Sequence, residues 1–155
     1  MLATTLAILG TLLGAIVSGW FALRTAGRSE RVARDGQLRR DRLDAVTELA
    51  TAISAHRRAM WMRGRAQLKG APAARYEELR SESHLTRSAV ARPLVSLRLL
   101  ITDPAVHTAA DAMVTATYAM RGADTSNAEL TTAREAAMHA HDRFVDTAAA
   151  YLNHS

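Results

Sequence analysis

The chain has 155 residues, of which 48% are apolar, only 5% aromatic and none cysteine. That length bounds it to one helical domain with a leading segment, and the lack of cysteine excludes disulfides and thiolate metal sites. The net charge of +5 is unevenly placed, with twelve bases against five acids up to Gly70 and eight against ten beyond it, so the basic character belongs to the first half.

Ala, Leu, Arg and Thr dominate where sheets would need Val, Ile, Tyr and Phe, so an all-α fold is expected. No charged side chain occurs in residues 1–23. A helix of that length matches a hydrocarbon core of about 30 Å, and the segment is predicted as a single transmembrane anchor. Trp20 and Phe21 stand where aromatic rings favour the interface, and Arg24 ends the run. A cleaved signal peptide would need a basic start and a shorter apolar stretch, and a buried helix without a polar face suits so small a domain poorly. Arg24, Arg28, Arg31 and Arg34 follow the span and only the amino terminus precedes it, which predicts the amino terminus outside and the remainder cytoplasmic. Gly10, Gly14 and Ser18 form a small-residue stripe able to pair helices in a membrane.

Residues 24–42 read as a basic helical stalk, with Val32 and Leu38 its only large apolar side chains. Arg24, Arg28, Arg31, Arg34, Arg39, Arg40 and Arg42 are its candidates for contact with lipid headgroups or other phosphates. Residues 43–155 are predicted to form an antiparallel cytoplasmic bundle of about four helices. The first of them continues from the leading segment through the stalk, where Gly27 and Gly36 are weak points, and ends near Lys69. Its apolar stripe comprises Leu43, Val46, Ala50, Ile53 and Met60, widened by Leu49 and Trp61. Gly70, Ala71 and Pro72 break it. A second helix reaches about Thr102, with a kink expected at Pro93 and with Tyr76, Leu79, Val90, Leu94, Leu97 and Ile101 on one face. Asp103-Pro104 is a start signal for a third, carrying Val106, Ala110, Met113, Thr117 and Met120. Ser126 and Glu129 form a capping box for a fourth, whose face holds Leu130, Ala133, Ala137, Ala140, Phe144, Ala148 and Tyr151.

Chemistry-bearing patterns are sparse. Glu135, His139 and Asp142 share a helix face at metal-ligand spacing, but no matching set on another segment completes a site, so no metal and no cofactor are expected. His107 and Asp111 stand four apart with no nucleophile near, which reads as a surface ion pair. No phosphate-binding loop, nucleophile elbow or zinc-protease motif occurs. A non-enzymatic role is therefore expected. Arg39, Arg40, Arg42, Arg57, Arg58, Arg63 and Arg65, with Trp61 among them, offer phosphate contacts to nucleic acid; the interspersed Asp35, Asp41, Asp44 and Glu48 argue instead for a solvated face.

Leu2–Thr25 (LATTLAILGTLLGAIVSGWFALRT), Arg28–Ala50 (RSERVARDGQLRRDRLDAVTELA) and Arg92–Val114 (RPLVSLRLLITDPAVHTAADAMV) together resemble small actinobacterial membrane proteins similar to the KilB-type spread proteins of conjugative plasmids. The resemblance implies a part in plasmid transfer or spread beside a membrane DNA translocase, and it carries over no active-site residue. The expected function is a membrane-anchored scaffold or accessory protein. Its expected partners are lipids and a second copy or another membrane protein. A membrane-tethered nucleic-acid binder using the Arg-rich helix is the alternative.

Overall fold

The computed structural model describes the side chains of residues 33–154, and residues 2–32 only as part of a helix. Five α-helices result: α1 (Leu2–Leu68), α2 (Ala73–Ala89), α3 (Ala91–Leu100), α4 (Pro104–Ala119) and α5 (Asn127–His154), with a 3-10 turn over Met120–Gly122. The chain divides into two compact units, Met1–Arg39 and Arg40–Ser155.

The predicted transmembrane helix requires correction. Among the described residues, no helix is long and apolar enough to cross a membrane. The described part of α1 carries exposed Arg34, Asp35 and Arg39, charges that keep that part of the helix out of a membrane interior. The stretch 1–23, with Gly10, Gly14 and Ser18, lies outside the described side chains, as do Arg24, Arg28 and Arg31.

Each break in the second unit has a local chemical cause. Gly70 takes a positive φ of 63°, which costs glycine nothing. The amide of Ala71 then donates to Ala66 O at 2.9 Å and that of Gly70 to Gln67 O at 3.0 Å. These two bonds close α1 as a Schellman motif. Pro93 lacks the amide that would donate to Ala89 O, and its ring crowds that carbonyl. The helix accordingly breaks one turn before the proline, at Val90, where the amide reaches back to Arg87 O at 3.2 Å. The single kinked second helix is thus two helices.

Asp103 accepts from the amides of Ala105 at 2.8 Å and Val106 at 3.1 Å, with Pro104 opening α4. Ser126 Oγ accepts from the Glu129 amide at 3.1 Å. The Glu129 carboxylate takes the hydroxyl of Thr125 rather than completing the reciprocal box.

Cross-contacts fix the directions. Arg42 Nε donates to Leu100 O at 3.1 Å, while Tyr76 Oη donates to Gln67 Oε1 at 3.1 Å, so α1 runs against α2 and α3. Arg42 also lies over Tyr151, and Arg134 over Trp61, so α1 runs against α5 as well. Gly64 permits that approach: a Cβ there would stand 2.9 Å from a Leu130 methyl. Counting α2 and α3 as one broken rod, the unit is a four-rod bundle with alternating directions.

The main core joins Val46, Leu49 and Ile53 to Val90, Leu97 and Ile101, to Val106, Ala110 and Met113, and to Ala140, Phe144 and Ala148. A smaller cluster of Met60, Met120, Leu130 and Ala137 closes the end nearer the 3-10 turn. Leu43, expected in the stripe, is 53% exposed.

Candidate functional site

The bundle separates the arginines that the sequence sets side by side. Residues 57, 61 and 65 are one helical turn apart and share a face of α1. The guanidinium of Arg65 stands 5.6 Å from the Trp61 ring centre and that of Arg134, from α5, 4.9 Å. Arg57 belongs to the same group. Burial first, then the neighbouring Arg134, pushes its guanidinium down in pKa, while Asp142 works in the opposite direction. Its buried Nη1 has no hydrogen-bond partner.

Arg63 faces elsewhere. It lines a narrow cleft of about 30 Å³ among α1, α2 and α4, with His56, Ser83, Arg87, Tyr118 and Arg121. His56 is 3% exposed, and its ring meets Tyr118 edge-on with centres 5.4 Å apart. Its Nδ1 lies 3.0 Å from Thr86 Oγ1. The single proton of that hydroxyl is also within reach of the Glu82 and Ser83 carbonyls at 3.1 and 3.2 Å, and when it is given to one of them the imidazole is the donor to Oγ1. Burial, followed by the charges of Arg87 and Arg63, lowers the His56 pKa from 6.5 to about 4. The ring is neutral at pH 7.

The remaining arginines serve different ends. Arg34, Arg39 and Arg58 are exposed. Arg40 has an interaction partner of its own. Arg42 is bound to Leu100 O and Tyr151, a packing role rather than a free phosphate contact.

Neither polar pattern on α4 and α5 forms a site. Asp111 pairs with Arg98 at 2.7 Å, and His107 Nε2 lies 2.6 Å from Ile101 O, so the expected His107–Asp111 pair is not made. Glu135, His139 and Asp142 are all exposed, and Asp142 lies 3.4 Å from His141 Nδ1. Among the described residues, no group of three or more such side chains is placed to hold a metal ion.

An open groove of about 460 Å³ runs between α1 and α5, lined chiefly by Leu43, Val46, Ala50, Val145, Ala149 and Leu152. Leu43 and Val145 stand proud, 53% and 38% exposed. The 3.6-residue period places Leu43 near the core, yet it falls on the bundle's rim, where α5 leaves it uncovered.

Residues 43–152 match the family model for KilB plasmid transfer protein. The chain is also 43% identical over 149 residues to Protein KilB of Streptomyces lividans, covering 96% of this chain and 97% of that one. The chain belongs to the KilB plasmid transfer protein family. Its role accordingly lies in plasmid transfer or spread. The matched KilB region begins at Leu43, the first groove residue, and ends at Leu152, the last. It includes the whole basic cleft. No solved structure matches the chain.

Sequence reasoning missed both the cleft and the groove. His56 and Arg63 stand seven apart on a helix, a spacing that signals a shared face, but the contributions of Arg87 and Arg121 arise only from packing.

Proposed function

We propose that this chain is a non-enzymatic accessory protein of plasmid transfer that acts by self-association, with the α1–α5 groove as the contact between two copies. The apolar groove is the observation that carries the reading. Leu43 and Val145 stand exposed in a lining that also holds the small side chains of Ala50 and Ala149, so one surface supplies both knobs and holes. A two-fold axis lets such a surface fill itself, the residues of each copy entering the recesses of the other. Exposed leucine and valine side by side over a groove of this size gain by leaving water, at roughly 25 cal/mol per Å².

Small-molecule sites typically enclose their ligand in about 300–1,000 Å³; the groove, at about 460 Å³, has that volume but lies open along the surface, and the cleft beside His56 holds only about 30 Å³. That difference favours a protein surface over a substrate pocket as the working part.

Cysteine cross-linking in intact cells tests the proposal, because the native chain has no cysteine to confuse it. Val145→Cys in the full chain, treated with a short bis-maleimide, is expected to give a covalent dimer. Ser81→Cys, on the exposed outer side of α2, is expected to give none. Equal cross-linking at both positions, or none at Val145→Cys, would contradict the groove contact.

A further inference from the structure

The cleft among α1, α2 and α4 has the composition of an oxyanion site. Its charged lining is all of one sign: Arg63 from α1, Arg87 from α2 and Arg121 from the 3-10 turn, with His84 beside them. Arg63 is held in the wall, its side chain 11% exposed. Its nearest acid is Asp124, whose Oδ2 stands 3.9 Å from Nη2, too far for a hydrogen bond. Its Nε is buried with no hydrogen-bond partner. A guanidinium left with an unsatisfied donor has hydrogen-bonding capacity that the protein itself does not use. Arg87 is held over the Tyr118 ring at 4.7 Å, which fixes a second cation at the cleft without neutralising it.

We propose that this cleft binds one phosphate group, with Arg63, Arg87 and Arg121 as its cationic ligands. The size agrees with a single group. A water-sized centre needs about 10–15 Å³, so a cavity of about 30 Å³ takes about two oxygens, and the rest of the anion sits at the mouth beside exposed Arg121. Guanidinium forks match phosphate oxygens, and three arginines in one lining supply the charge. Ser83, whose hydroxyl donates to Arg80 O at 2.7 Å, adds a neutral polar group to the lining. The space admits a phosphate but not a base or sugar, so the ligand is inorganic phosphate or the terminal phosphate of a phosphomonoester.

His56 is a built-in reporter. The groups facing it are Arg63 on α1, Thr86, His84 and Arg87 on α2, and Tyr118 and Arg121 on α4 and its following turn, with Asp124 just beyond. The two arginine charges contribute to its lowered pKa, and an anion between them offsets that contribution.

The test uses the full chain with histidine ring resonances followed by NMR. Inorganic phosphate at pH 7 is expected to shift the His56 signals saturably, and Arg121→Ala to weaken binding tenfold or more. Arg121 is exposed, so its replacement leaves the fold intact. Sulfate remains a dianion across the acid range, and titration in sulfate should raise the His56 pKa by about one unit relative to chloride. Adenosine monophosphate binding tenfold tighter than phosphate would identify a phosphomonoester as the ligand, whereas equal binding would identify the free ion. Unchanged His56 signals, or identical affinity in native and Arg121→Ala proteins, would overturn the proposal.

Discussion

Acidification should unfold this bundle earlier than its carboxylates alone dictate, because His56 must accept a proton in a site built for the neutral ring. The group's pKa falls from 6.5 to about 4 on folding. As the pH drops through 6.5 the unfolded chain takes up the proton first, so the histidine's contribution is complete above 6.5 and is lost progressively as the pH falls toward 4. At about 1.4 kcal/mol per unit the full difference corresponds to about 3 kcal/mol. The ring borders a solvent-accessible cleft, and screening there reduces the effect to roughly half, about 1.5 kcal/mol. His56→Gln removes the titration and retains an amide able to donate to Thr86. Urea unfolding of both proteins, followed by circular dichroism at pH 7.5, 6, 5 and 4.5, isolates the histidine from every other titrating group. The native chain should lose about 1.5 kcal/mol relative to the variant between the extremes. Parallel curves, within about 0.5 kcal/mol throughout, would refute the burial argument.

Three packing predictions follow from the bundle. Asp103→Ala removes the acceptor for the amides of Ala105 and Val106 and should cost about 1 kcal/mol, visible as a lowered thermal midpoint; an unchanged midpoint would show that α4 does not need this cap. Phe144→Ala empties the largest fully buried side chain of the core and should cost about 3–5 kcal/mol in urea unfolding. Gly64→Ala sets a helix-propensity gain of about 1 kcal/mol against overpacking of about 1–3 kcal/mol, because Leu130 is fully buried and its methyl lies 2.9 Å from the new Cβ. Net destabilisation is expected, and a stabilised variant would show that Leu130 yields.

Local chemistry explains which parts of this fold could be read from the sequence. Asp103-Pro104 and Ser126 cap the helices they were expected to open, because capping involves groups only two or three residues apart. On α4 and the turn that follows it the whole expected face, from Val106 to Met120, is buried. A 3.6-residue pattern is clearest where one helix meets neighbours on one side only. Leu43 has the same periodicity but lies where the covering helix gives way to the groove, and no local signal marks that edge. The break at Val90 was displaced from Pro93 because a proline acts on the carbonyl four residues earlier. The run of arginines on α1 looked like one patch. It becomes a Trp61 cluster, a cleft wall and a packing bond to Leu100 only because four other helices provide the partners. Long-range pairing of this kind leaves no trace in spacing along one helix.

Self-association through the α1–α5 groove is most directly tested by the solution mass of the full chain and of its Val145→Glu variant, measured by sedimentation equilibrium over a range of concentrations. The native protein should be a dimer, and the variant a monomer with undiminished helix content, because a carboxylate at an exposed rim position burdens the contact and not the core. A native monomer throughout, or a variant that dimerises with equal affinity, would contradict it.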